Sequence, residues 1–476
     1  MKINRIDKII IFLIYIFIFC RFLSIIIYNF EILNILRFLL LIIYIFLVIK
    51  CYKIKKIILL LFLISLFVFQ YGRLIYLPLL KREVMMTWFT KIIPSLDTLF
   101  FITDILFFNL LGIVLAEKLY NPVKILKNNF IKIDKIRNRI LIFIVLILFI
   151  PYLKFSIDIL KVLRSFKYED IYKFGIQYFY KKNTMLIEQI FYSIFLTAIP
   201  FGLAFQNSSK KNKLFFILMG NIAYFFIFLR GNRGQFITFL FFSFWYLNYF
   251  DIVKLNIKKI IIFMIILLIP IIGMSKYRAN KKIERINFSI VKSINDVLYS
   301  QGTTGSYLVL LNEKKEIFQQ EHIKYIISGI SGYRSRKQNI ESYEKIMESK
   351  NVNLDNKLSS ILNKKMFLNG NGMGGNYIIE MYDFGGNIAV FILSFLLTLF
   401  FVKIDTSIFN YSFLIKVIFL YYLPKVFFIP RNNYFIHIRM LDICKIIFVY
   451  FFVEFFVLII ETLRKKSHEN IKRIDN

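Results

Sequence analysis

Ile140-Leu141-Ile142-Phe143-Ile144-Val145-Leu146-Ile147-Leu148-Phe149-Ile150 decides the fold class. A strand of an outer-membrane barrel alternates polar and apolar positions over about ten residues, and here no polar residue interrupts the run, so a β-barrel is excluded. Outward from this stretch, apolar runs recur from residue 9 to residue 460. Many approach the roughly 17 to 25 residues that carry a helix across ~30 Å of hydrocarbon. Over all 476 residues, 58% are hydrophobic and 19% charged, more apolar surface than a water-soluble globule can cover. The expectation is therefore an all-α, polytopic helical membrane protein.

Apolar runs bounded by charge give about twelve spans: 9–27, 32–49, 57–70, 96–116, 140–153, 186–205, 214–229, 235–250, 260–275, 376–402, 411–429 and 443–462. The third and fifth are short and extend naturally toward residues 80 and 155. Orientation follows from basic residues in the shorter connections. With the N-terminus inside, the inner connections hold 26 Lys and Arg in 77 residues and the outer ones 15 in 79. Both termini are thus expected in the cytoplasm. Residues 1–275 carry nine spans, 276–375 form a loop domain outside, 376–462 carry three more spans, and 463–476 are a cytoplasmic tail.

The formal charge of +34 is mostly lysine, 45 of 63 basic residues, in a chain also rich in Ile, Asn, Phe and Tyr. It reads as the mark of an AT-rich coding sequence and of inward-facing loops rather than of a nucleic-acid surface. Cys20, Cys51 and Cys444 form no paired motif and sit in or beside apolar runs, where cysteine acts as a small hydrophobe. The insert 276–375 has 17 basic against 9 acidic residues and 8 of the 18 glycines. Stretches within it mix apolar and polar positions at helical spacing, so short helices are expected. Its basic side chains, Arg278 among them, suit an anionic partner.

Several constellations face the same outer side. Arg230-Gly231-Asn232-Arg233-Gly234-Gln235 fills the turn between the seventh and eighth spans. Two guanidiniums on a Gly-bracketed turn fit a pyrophosphate, and they equally fit lipid phosphates as helix anchors. Asn369-Gly370-Asn371-Gly372-Met373-Gly374-Gly375-Asn376 lacks the phosphate-loop pattern for nucleotides, yet Gly372 and Gly374 offer backbone N–H groups to an anion at a helix start. Glu380 and Asp383 follow on one helical face near the membrane edge, either as functional carboxylates or as partners of an arginine. Between the last two spans, Arg431, Tyr434, His437 and Arg439 suit sugar and phosphate recognition, with His437 a candidate base, or form an interfacial aromatic and basic belt. The polar patch 300–306, with Gln301, serves carbohydrate hydroxyls or simply starts a helix. The chain has no D-x-D motif, no H-E-x-x-H and three histidines in all, which disfavours a metal-held sugar nucleotide and a zinc hydrolase.

The Arg-rich turn, the long outer loop with Gln301-Gly302-Thr303-Thr304, and the glycine cluster leading through Glu380 into an apolar span resemble the Wzy-type O-antigen polysaccharide polymerases. The likeness covers most of the chain in layout and is motif-level at 230–235, 300–306 and 370–386. It implies a glycosyltransferase of the bacterial inner membrane that joins undecaprenyl-pyrophosphate-linked oligosaccharide repeat units at the periplasmic face. It needs no cofactor, neither nucleotide sugar nor metal. Membrane lipids and a chain-length regulator protein are its further expected partners, and nucleic acid is not. By likeness, Arg230 and Arg233 stand for the family's loop arginines. Such chemistry requires fixed positive charge on the leaving pyrophosphate and one proton acceptor, for which Glu380, Asp383 and His437 are candidates. A lipid-linked oligosaccharide flippase and an O-antigen ligase are the competing readings.

Overall fold

The computed structural model describes residues 3–80, 93–120, 132–164, 184–205, 208–230, 233–253, 290–313, 358, 375–432 and 440–474. All regular elements among them are helical. Eight helices are long and apolar enough to cross a membrane, so the all-α membrane class holds. The runs at 186–205, 235–250 and 411–429 are helices Thr184–Leu203, Arg233–Tyr249 and Phe413–Val426, whose apolar stretches fall short of that mark. The run at 260–275 and most of the insert 276–375 lie outside the described residues.

The chain divides into two compact units, Met1–Lys124 with Leu255–Thr406 and Lys425–His437, and Ile125–Lys254 with Ser407–Pro424 and Ile438–Asn476. The first begins with α1 (Ile3–Ile26), α2 (Phe30–Lys53), α3 (Ile57–Leu79) and α4 (Leu96–Leu119). Asn29 and Ser95 cap α2 and α4, their side chains accepting from the N–H groups of Ile32 and Thr98. One rim is tied by charge: Lys50 Nζ lies 2.5 Å from Asp7 Oδ1 and contacts Glu117, while Lys56 Nζ donates to Glu117 Oε1 at 2.8 Å and to the Glu117 carbonyl at 2.7 Å. These residues stand at the start of α1, the end of α2, the start of α3 and the end of α4. The four helices therefore alternate in direction.

Within the hydrocarbon zone, polar ties replace part of the missing hydrophobic drive between helices. Tyr71 of α3 donates to the Leu106 carbonyl (2.6 Å), and Asn109 of α4 donates to Tyr377 (3.0 Å) and Ser394 (2.7 Å) of α11 (Tyr377–Ser407). Arg21 and Asp104 form a two-pronged ion pair at 2.8 and 2.9 Å between α1 and α4. The same unit includes α9 (Ile290–Gln301), a 3₁₀ turn (Gly302–Tyr307) and α10 (Leu308–Glu313).

The second unit contains α5 (Lys132–Arg164), α6 (Thr184–Leu203), α7 (Lys210–Leu229), α8 (Arg233–Tyr249), most of α12 (Phe413–Val426) and α13 (Met440–Ile474). Its interior is aromatic. Tyr152 packs on Phe195 at 4.6 Å and Tyr192 at 5.2 Å between centroids and donates to the Ala223 carbonyl at 2.7 Å. Arg137 of α5 reaches Glu454 of α13 at 2.8 Å, giving that span's carboxylate a partner.

Candidate functional site

The site is built on α3. Its first part, Ile57–Leu66, is an ordinary α-helix of apolar residues, followed by a π-helical stretch over Phe67–Tyr76. A π turn is wider than an α turn, and such turns gather at functional positions. Gln70, Tyr71, Gly72 and Arg73 lie on this stretch and are all buried. A glutamine and an arginine there must find polar partners, because lipid supplies none.

Those partners come from three distant segments of the same unit. Gln70 Nε2 donates to the Pro430 carbonyl at 2.5 Å. Asn376 Nδ2 donates to Gln70 Oε1 at 3.2 Å and to the Thr304 carbonyl at 2.8 Å, and Asn376 Oδ1 accepts from the Ile378 and Ile379 N–H groups. Asn376 is thus both the cap of α11 and the centre of the knot, fully buried. Arg73 Nη1 donates to the Tyr299 carbonyl at 2.6 Å and to Thr303 Oγ1 at 3.1 Å, with its guanidinium 4.2 Å from the Tyr299 ring centroid. Gly302 lies directly against this helix: a Cβ there would sit 2.5 Å from Arg73 Cβ.

Arg431, in a short turn after α12, completes the arrangement. Its Nη1 donates to Gln301 Oε1 at 2.7 Å, and its guanidinium lies 5.7 and 5.9 Å from the ring centroids of Phe69 and Phe428. Burial pushes the Tyr307 phenol well above its ordinary range, while the nearby guanidiniums of Arg431 and Arg73 act in the opposite sense. Two arginines, a phenol and an amide thus share one polar region. Guanidiniums fixed in this way present directed N–H groups suited to an anion of phosphate type.

Glu380 and Asp383 lie in the first turns of α11, just beyond the Asn376 cap, and both are buried. The helix breaks two residues later at Gly385 and Gly386. Gly386 has φ +67, a left-handed conformation that glycine adopts without steric cost. The carboxylates therefore ride on a short helical segment set off from the longer one that follows.

Of the site residues expected from sequence, Gln301 and Arg431 are brought into direct contact. Glu380 and Asp383 are in the same unit. Arg230 belongs to the second unit, where it ends α7, donates to Ser156 Oγ at 2.8 Å and faces the rings of Tyr192 and Phe155 at 5.0 and 5.6 Å. Arg233 begins α8, and its side chain is outside the described set, as are Arg278, Gly372, Gly374, His437 and Arg439. Sequence reading missed Gln70, Arg73 and Asn376. A glutamine and an arginine three residues apart at the end of an apolar run were the available signal.

A family model described as O-antigen polysaccharide polymerase Wzy matches residues 9–464. Neither the curated proteins nor the solved structures contain a match to this chain.

Proposed function

The chain belongs to the O-antigen polysaccharide polymerase Wzy family, and from that premise we propose that it joins undecaprenyl-pyrophosphate-linked oligosaccharide repeat units at the periplasmic face of a bacterial inner membrane. The observation that carries this reading is the Arg431–Gln301 contact within the buried knot at one end of α3. The charged rim of Lys50, Lys56 and Glu117 stands at the start of that helix, 14 to 17 residues before Gln70 and Arg73, or about 21 to 26 Å along the axis. Lysine-rich ends belong to the cytoplasm, which supports both the periplasmic side of the knot and a cytoplasmic N-terminus. Twelve spans and a periplasmic 276–375 domain complete this topology.

In the reaction, a hydroxyl oxygen of the acceptor unit attacks the anomeric carbon of the donor. The bond from that carbon to the pyrophosphate oxygen breaks, and the polyprenyl pyrophosphate leaves with the bonding pair. Arg431, held beside Gln301, grips the donor's pyrophosphate in the bound ground state and as the bond breaks. The hydroxyl proton passes to a carboxylate, Glu380 or Asp383, or to His437. Fixed guanidiniums do this work without a metal, and the lipid tails of both substrates keep the catalyst within the membrane.

The test is the surface-polysaccharide ladder of a strain lacking this chain. A polymerase defect leaves flipping and ligation intact, so the gel shows lipid A core plus one repeat unit and no ladder. Bare core with no polymer on the lipid carrier is the flippase result, and long polymer stranded on the carrier is the ligase result. Either would overturn the assignment.

A further inference from the structure

We propose that Arg73 is a positioning residue for Arg431, acting through the 299–303 segment and Gln301. The proposal rests on the reading of Arg431 as a holder of the donor's diphosphate. Arg431 ends the short 429–431 turn, and its Nη1 donates to Gln301 Oε1. Gln301 is the last residue of α9, so its placement depends on how that helix end is fixed. Arg73 fixes it from both sides: Nη1 binds the Tyr299 carbonyl two residues before Gln301 and Thr303 Oγ1 two residues after it.

The packing makes this link stiff. Gly302 abuts Arg73 with no room for a Cβ, and a Cβ on Gly305 would lie 3.0 Å from Gln70 Oε1. The Tyr299 ring lies against the Arg73 guanidinium, so the flat donor fork is held in one orientation. An arginine inside a span is costly to keep, and a plain packing role would be met by leucine. The two hydrogen bonds to Tyr299 and Thr303 bracket Gln301, a hydrogen-bond partner of Arg431, which is the arrangement expected of a side chain that aims another.

The experiment measures KM and kcat for chain extension in membranes, with the native lipid-linked repeat unit extracted from a strain lacking this chain. Losing one well-made charge-assisted bond corresponds to about a tenfold effect. Arg73→Ala and Gln301→Ala are each expected to raise KM about that much with kcat nearly unchanged, and the double variant to raise it no further, because both act through one contact. Arg73→Lys should recover little, since an ammonium cannot bridge two acceptors while stacked on the ring. Gly302→Ala, which keeps every charge but pushes the 299–303 segment off α3, should reproduce the Arg73→Ala rise and keeps the test decisive where Arg73→Ala fails to accumulate. Independent effects that multiply to about a hundredfold, or a normal KM in the accumulating Arg73 or Gly302 variants, would overturn the proposal. A normal KM in Arg431→Ala would instead remove the reading of Arg431 on which it stands.

Discussion

Replacing Asn376 with alanine removes four hydrogen bonds at one buried point. Two of them cap α11 through Asn376 Oδ1, at 2.9 Å to the Ile378 N–H and 3.4 Å to that of Ile379, and losing such a cap costs about 1 kcal/mol. The other two leave Gln70 Oε1 and the Thr304 carbonyl without their Nδ2 donor, at about 1 to 3 kcal/mol for each buried acceptor left unsatisfied. Allowing for relaxation of the Gln70 amide, the sum is about 3 to 5 kcal/mol. Denaturant unfolding of the protein in mixed micelles, followed by circular dichroism, reads this as a lowered midpoint. Asn376→Asp separates the contributions: it keeps an oxygen for the Ile378 and Ile379 N–H groups but turns a carboxylate oxygen toward two acceptors. Hydrogen exchange at residues 302–307 should then quicken in both variants, while protection at the start of α11 falls only in Asn376→Ala. Unchanged midpoints with unchanged exchange at 302–307 would refute the knot as a structural element.

Two further outcomes follow from charged groups. Glu117→Gln should destabilise the protein by about 3 kcal/mol, because breaking a buried ion pair leaves the lysines' charge poorly compensated; Lys50 keeps Asp7 and Lys56 keeps carbonyl partners, which places the effect at the low end, and thermal unfolding in detergent measures it. Glu313 accepts from Thr98 Oγ1 and from the Ser95 N–H and hydroxyl, and these bonds hold its carboxyl below the ordinary range. With the folded pKa depressed, the tie is complete above the unfolded pKa and is lost as pH falls through the lowered folded value. Exchange at residues 308–313 should rise over that window in the wild type and be insensitive to it in Glu313→Gln.

Run length and charge read the membrane class correctly because burial in lipid demands helices with apolar sides, and the ends of α2, α4 and α7 fall within a few residues of the expected spans. The misses have local causes. The third span extends past residue 70 toward 80 as expected, to Leu79, but nothing local shows that Gln70 and Arg73 meet polar partners from distant segments. The expected span 140–153 is the centre of a helix covering Lys132–Arg164, whose charged ends hide its length. Gln301 and Arg431 were each picked as candidates from composition, but their contact spans 130 residues and no local pattern encodes it. Asn376 was read as part of a glycine cluster, since its four bonds depend on partners far along the chain.

The Gln70 bond to Pro430 joins residues 360 positions apart, and this bears on how the chain is made. At about 5 to 20 residues per second of synthesis, roughly 20 to 70 s pass between the emergence of α3 and that of its partner. The first four helices are therefore inserted while Gln70 still lacks Pro430, and Arg73 lacks its partners until residues 299–303 have emerged. Assembly of the first unit cannot close until nearly the whole second unit has also entered the membrane, because its final segment, Lys425–His437, comes after Ile125–Lys254 and Ser407–Pro424. The newly inserted helices therefore depend on the insertion machinery, or on lipid headgroups and water at the interface, to shield Gln70 and Arg73. Truncations ending before residue 425 should be cleared by membrane quality control even though most of the spans are present.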